Sequence, residues 1–267
     1  MGITHEVTLD HTEAWLCYSE EMDDTYDIRV ALPKTPPPEE GYSVVYVLDG
    51  NAYFQFARDV VRLQSKNAPK TLVEAAIVVG VGHSGEDKDV SKRRFYDFTA
   101  PAEAYHYPER LKRFDVEGKH GGALKFLEFL ESQLKPEIER RYIVNKKKQT
   151  LFGHSLSGLF TLFTLFTKPN AFQTYLVASP SIWWNDYELL PYMGEFLNRP
   201  QENEVRRLLV TVGEQERFMV DDAKQLFERL EEAQQESLEC AFYCAPDENH
   251  ASVVPTIMSR AIRFASK

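Results

Sequence analysis

Strand-length apolar segments alternate along this chain with segments of helical periodicity, an order that few folds can accommodate. Residues 26–32, 43–48, 73–80, 150–152, 174–178, 207–212 and 238–244 read as strands, being rich in β-branched and aromatic residues and bounded by turn formers. Between them, 52–63, 124–141, 156–167, 223–234 and 252–264 read as helices; in the second, apolar residues fall at 124, 127, 130, 134 and 138. Strands joined by helical crossovers run parallel in one sheet, with helices on both faces. The expected architecture is therefore a single α/β domain over residues 1–267, with excursions at about 83–122 and about 180–205 on one rim. Sheets of this kind take their ligands beyond the carboxyl ends of the strands, so residues just after strands carry the chemistry.

Composition narrows the partners. A chain of 267 residues, 43% hydrophobic and 27% charged, can bury a large core and is not a disordered chain. No apolar run approaches the ~18–20 residues of a membrane helix. Met1 to Glu6 has neither the basic nor the apolar region of a signal peptide. Lys plus Arg total 31 against 41 for Asp plus Glu, a net charge of −10, which argues against nucleic acid or an anionic membrane as partner. Cys17, Cys240 and Cys244 show no metal spacing. On one strand Cys240 and Cys244 would stand ~13 Å apart, too far for a disulfide. Free buried thiols point to a reducing, cytoplasmic compartment.

The sharpest motif is Phe152-Gly153-His154-Ser155-Leu156-Ser157-Gly158, set between a strand and a helix. It matches a nucleophile elbow, Gly-x-Ser-x-Gly, except that Ser157 holds the last glycine position. Small residues are needed because the turn is tight and the helix packs close to the strand; the turn would expose the Ser155 hydroxyl beside the Leu156 amide. A serine needs a base, and His250 follows the last strand, in Asp247-Glu248-Asn249-His250. The orienting acid should follow the preceding strand. There Gly213-Glu214-Gln215-Glu216 offers Glu216, the favoured position, with Glu214 as rival; a Ser–His dyad without an essential acid is also open. For the oxyanion hole, the backbone amide of Asn51 in the turn Asp49-Gly50-Asn51 would join that of Leu156.

Other signals weigh less. Gly80-Val81-Gly82-His83-Ser84-Gly85 spells a dinucleotide fingerprint, but Glu86-Asp87-Lys88-Asp89 after it lacks the apolar face of a helix. Phe160, Phe163 and Phe166 form a stripe expected in the core, and Lys146-Lys147-Lys148 precedes a strand, at the end opposite the site. Lys92-Arg93-Arg94 lies instead in the excursion after a strand, with Arg110, Lys112 and Arg113 further along, where an anionic substrate would meet cations. Trp183 and Trp184 could wall a pocket, since two adjacent tryptophans are not both casually exposed.

Residues 153–184 closely resemble the esterase-D-like branch of the α/β-hydrolases that includes ferric enterobactin, salmochelin and bacillibactin esterases. Residues 46–51 (YVLDGN), 93–99 (RRFYDFT), 121–142 and 248–255 (ENHASVVP) extend the resemblance over roughly 25–265. It implies an α/β-hydrolase fold, Ser155 as nucleophile, His250 as base, no metal or organic cofactor, and a small-molecule ester substrate such as a ferric siderophore. The chain departs from the family at Ser157, usually Gly, and at Ala100, commonly Pro. A general carboxylesterase and a non-catalytic ligand-binding scaffold are the alternative readings.

Overall fold

Buried on both faces, the most apolar segments take the centre of an eight-stranded sheet. The computed structural model describes residues 8–107, 118–200 and 204–267. Among them the strands are β1 (Thr12–Ser19), β2 (Asp24–Ala31), β3 (Tyr42–Leu48), β4 (Ala76–His83), β5 (Val144–His154), β6 (Thr174–Ala178), β7 (Arg206–Gly213) and β8 (Leu238–Ala245). Their order is β1-β2-β4-β3-β5-β6-β7-β8. From β4 to β8 all neighbours are parallel; β2 pairs antiparallel with β4, and β1 with β2. Every residue of β4 and β6 is buried.

Period-two alternation sorts the strand residues into two cores. Val44, Tyr46 and Leu48 join the core that also holds Phe160, Phe163 and Phe166 of the helix Leu156–Thr167. Val45 and Val47 face the other way, toward the helices Gly50–Gln64 and Val253–Ala265. Each fully buried valine or phenylalanine contributes ~1.5–3 kcal/mol relative to exposure. The crossovers deliver the C-terminal ends of β3 to β8 to one rim.

Several elements differ from the sequence-based expectation. Strand β1 carries no clear strand signal in the sequence, because its segment TEAWLCYS mixes polar and apolar residues, as an edge strand with one solvated side can. Strand β4 begins at Ala76 and runs on to His83 rather than ending at Gly80. Its glycines serve close approach: a Cβ on Gly80 would lie 2.9 Å from the Phe54 side chain. The acidic stretch after it does become helical, at Asp87–Asp97. Strand β5 extends back to Val144, so Lys146, Lys147 and Lys148 lie within it, exposed and far from its C-terminal end. Residues 123–141 form one helix interrupted by a π turn at Leu130–Leu134. The extra residue rotates the upstream face, so Ala123, Phe126 and Leu127 are buried while Leu124 is exposed. The three cysteines are free and half-buried.

Candidate active site

At the end of β5 the chain reverses into the helix Leu156–Thr167 through Ser155, whose φ of 61° and ψ of −117° are costly for a residue with a side chain. Packing and hydrogen bonds hold it there. The Ser155 N–H donates to the Ala178 carbonyl (3.0 Å), and its own carbonyl accepts from Leu159 (2.9 Å) and Ser181 (3.1 Å). A Cβ on Gly153 would stand 2.1 Å from the Ser157 carbonyl oxygen and 2.6 Å from Thr161 Oγ1, so only glycine fits. Gly153→Ala is therefore expected to lower stability by about 3 kcal/mol or more, read as a fall in the urea midpoint at unchanged m-value.

Ser157, at the place where the pattern has glycine, is fully buried and is put to use. Its hydroxyl donates to Asp49 Oδ2 (2.7 Å) and accepts from the His154 N–H (2.9 Å), linking the elbow to the turn after β3.

Three side chains from the ends of three strands converge above the elbow. His250, after β8, sets Nε2 3.0 Å from Ser155 Oγ and Nδ1 2.6 Å from Glu216 Oε2. Glu216, after β7, turns its other oxygen to the Ser179 hydroxyl (2.5 Å) and the Gly213 N–H (2.7 Å). Burial opposes its charge, but hydrogen bonds from His250, Ser179 and Gly213 prevail and hold its pKa below the usual carboxylate value. It remains a carboxylate that accepts from His250 Nδ1–H, leaving Nε2 to accept a hydrogen bond from the Ser155 hydroxyl. The side chain of Glu216 is 1% exposed and that of His250 43%, so the carboxylate is sheltered and the imidazole reachable. Glu214 is not part of this line. It is exposed and accepts from the Asp247 N–H (3.0 Å), bracing the loop that carries His250.

Asn51 and Leu156 both open helices at this rim. Val47 pairs with Phe152 across parallel β3 and β5, so each lies four residues beyond a paired position. N–H groups in a first helical turn lack intrahelical acceptors and are available to an incoming anion.

Four neighbours had no signal of their own in the sequence. His154 packs its ring 4.6 Å from that of His250 and its Nδ1 meets the Tyr53 hydroxyl at 2.9 Å. Burial, then the charge of His250, press its pKa down to about 3, so it stays neutral. Ser179 and Ser181 follow β6, where the rule that post-strand residues carry the chemistry could have found them. Ser181 Oγ lies 3.4 Å from Ser155 Oγ.

The residues expected to meet substrate are placed differently. Arg94 is committed to Asp49 through two contacts, at 2.6 and 2.9 Å. Burial raises the Asp49 pKa, but the Arg94 guanidinium outweighs it and the net shift is downward. Arg93 pairs with Asp24 (2.5 Å), donates to the Thr25 and Ser84 carbonyls and lies over the Tyr26 ring. Neither is a free cation at the mouth, because carboxylates distant in sequence already neutralise them. Trp184 is fully buried, stacked on His120 with Phe95 nearby, so it backs a wall without facing it. Trp183 is half-buried beside it, with ring centroids 6.4 Å apart. Arg110, Lys112 and Arg113 lie outside the described residues.

A hydroxyl, an imidazole and a sheltered carboxylate in one hydrogen-bonded line can carry a proton from serine to histidine as the oxygen attacks a carbonyl. The family described as "Putative esterase" matches residues 19–252. The ferri-bacillibactin esterase BesA of Bacillus subtilis is 40% identical over 269 residues, covering 99% of this chain and 92% of that protein. A siderophore enterobactin esterase of Emericella nidulans is 32% identical, covering 92% and 91%. A crystal structure of the BES protein from Bacillus cereus superposes with a TM-score of 0.91 at 42% identity, covering both chains fully.

Proposed function

Because this chain belongs to the esterase family, has the α/β-hydrolase fold and is an ester-hydrolysing enzyme, we propose that it opens the ester bonds of a catecholate siderophore trilactone with Ser155 as nucleophile. The observation that carries the mechanism is the unbroken line Ser155–His250–Glu216, at 3.0 and 2.6 Å. The siderophore esters named for the relatives support the substrate.

In this reading His250 Nε2 takes the Ser155 proton as Oγ attacks the ester carbonyl. Glu216 holds the imidazole in the tautomer with Nδ1–H and stabilises the imidazolium that forms. The backbone amides of Asn51 and Leu156 receive the oxyanion. Collapse of the tetrahedral intermediate breaks the substrate's ester C–O bond, the departing alkoxide takes the proton from His250, and the acyl group stays on Ser155 Oγ. His250 then activates water to release the acid. Residues 1–267 act as one α/β-hydrolase domain, as the single sheet from β1 to β8 supports. Trp183 lines the substrate pocket, while Arg93 and Arg94 shape the rim through Asp24 and Asp49. Among the described residues no helix is long and apolar enough to cross a membrane.

The test compares a ferric tris-catecholate trilactone, its iron-free form and a p-nitrophenyl ester, with products resolved by chromatography. Stepwise appearance of linear trimer, dimer and monomer is expected, together with labelling by a fluorophosphonate probe. Hydrolysis of the p-nitrophenyl ester with both trilactones untouched would reduce the reading to a general carboxylesterase. No labelling and no turnover would overturn the serine mechanism.

A further inference from the structure

We propose that the side chain of Asn51 is a positioning residue that clamps the oxyanion hole to the end of β4. The inference rests on the reading of Asn51 as an oxyanion donor. It concerns the carboxamide, whereas the donor is the backbone N–H.

Pairing between β3 and β4 runs only to Leu48 and Val81, because the chain leaves β3 at Asp49 (φ 52°) and enters the helix Gly50–Gln64. Strand β4 continues two residues further, to His83. The Asn51 side chain stands in for the missing strand. Its Oδ1 accepts from the His83 N–H at 2.9 Å, and its Nδ2 donates to the His83 carbonyl at 2.7 Å. One donor and one acceptor on the backbone fix which way the amide points, and a carboxamide meets them with a separate acceptor and donor in one rigid plane.

The surroundings are shaped for this contact. A Cβ on Gly82 would lie 2.5 Å from Asn51 Oδ1 and 3.2 Å from the Asn51 backbone N. A Cβ on Gly50 would lie 2.8 Å from the Gly80 carbonyl carbon. Two glycines thus let the start of the helix sit directly on β4. The anchor itself is held, since His83 Nε2 meets Asp97 Oδ2 at 2.8 Å, and the same oxygen accepts from the Tyr26 hydroxyl at 2.8 Å. Two torsions separate the clamped amide from the Asn51 Cα, so fixing the side chain fixes the direction of the backbone N–H. As a residue Asn51 is exposed, so the two bonds add little to global stability while setting local geometry.

The experiment uses the full chain, a p-nitrophenyl ester and a trifluoromethyl ketone that mimics the tetrahedral adduct. Asn51→Ala should lower kcat by about 10- to 100-fold, with KM within about threefold and Tm unchanged. Its affinity for the ketone should fall by the same factor as kcat/KM. Asn51→Asp supplies a second readout. Its carboxylate accepts from His83 N–H but cannot donate to the carbonyl, whereas its protonated form can do both. The ratio of wild-type to N51D kcat/KM should therefore narrow as pH falls from about 8 to about 5. Asn51→Ala within twofold of wild type in kcat and ketone affinity, a flat N51D ratio, or losses that merely track Tm would each overturn the clamp. If Ser155→Ala retained turnover, the premise would fall and the clamp with it; if Ser155→Ala is inactive while Asn51→Ala is unaffected, only the clamp fails.

Discussion

Ser155→Ala is expected to lower hydrolysis of a p-nitrophenyl ester by roughly 10³- to 10⁶-fold, with Tm and the circular dichroism spectrum close to wild type. The range follows from what remains when a nucleophile is deleted: a pocket and an oxyanion hole that still bind and polarise the carbonyl. His250→Ala should cost a comparable factor, because Ser155 Oγ is held 3.0 Å from Nε2 and, among the described residues, has no other base within its hydrogen-bond reach. His154 lies next to His250, but its pKa of about 3 leaves it a very weak base and its Nδ1 is taken by Tyr53. The double variant should be no worse than either single one, since the two groups act in one step. Initial rates and fluorophosphonate labelling of all three variants decide it. Additive losses, or a labelled His250→Ala, would show that the pair does not work as a unit.

Glu216→Gln is expected to reduce kcat/KM by roughly 10²- to 10⁴-fold. The amide is isosteric, but it brings two N–H donors where the carboxylate only accepts. Oε1 already receives the Ser179 hydroxyl and the Gly213 N–H, so the oxygen of a glutamine is drawn there and its NH₂ turns to His250. His250 Nδ1 must then accept, the proton moves to Nε2, and the base faces Ser155 in the wrong tautomer. Glu214→Gln should stay within about threefold of wild type, because Glu214 accepts from the backbone N–H of Asp247 in the His250 loop and not from His250 itself. The reverse ranking would place the acid at Glu214. Equal, small losses would mean a dyad that needs no carboxylate.

Local rules made much of this legible. Period-two and period-3.6 patterns depend on neighbours a few residues apart, so β3, β6, β7 and the helix Leu156–Thr167 lie close to where the pattern put them. The elbow is local too: Gly153, Ser155 and the following helix sit within one tight turn, and the requirement for a residue without Cβ can be read from a motif. Chain order then ranked Glu216 and His250, since a parallel sheet presents successive strand ends on one rim.

Other features depend on pairings that no local pattern encodes. Arg94 and Asp49 are 45 positions apart, and Arg93 and Asp24 69 apart, so a basic run that reads as free charge is neutralised only once β2, β3 and the helix Asp87–Asp97 are assembled. Ser157 looks like a lapse from the glycine pattern until the fold sets Asp49 2.7 Å from its hydroxyl. Trp183 and Trp184 are adjacent in sequence, yet packing buries one completely and the other only in part. The sequence by itself determined the strand–helix alternation, the elbow and the order of its partners, because those follow from backbone sterics and from hydrophobic periods a few residues long. The tertiary structure alone decided which charges are spent, which aromatic ring faces solvent and what seats Asn51, because burial and ion pairing are set by residues that the sheet brings together from distant parts of the chain.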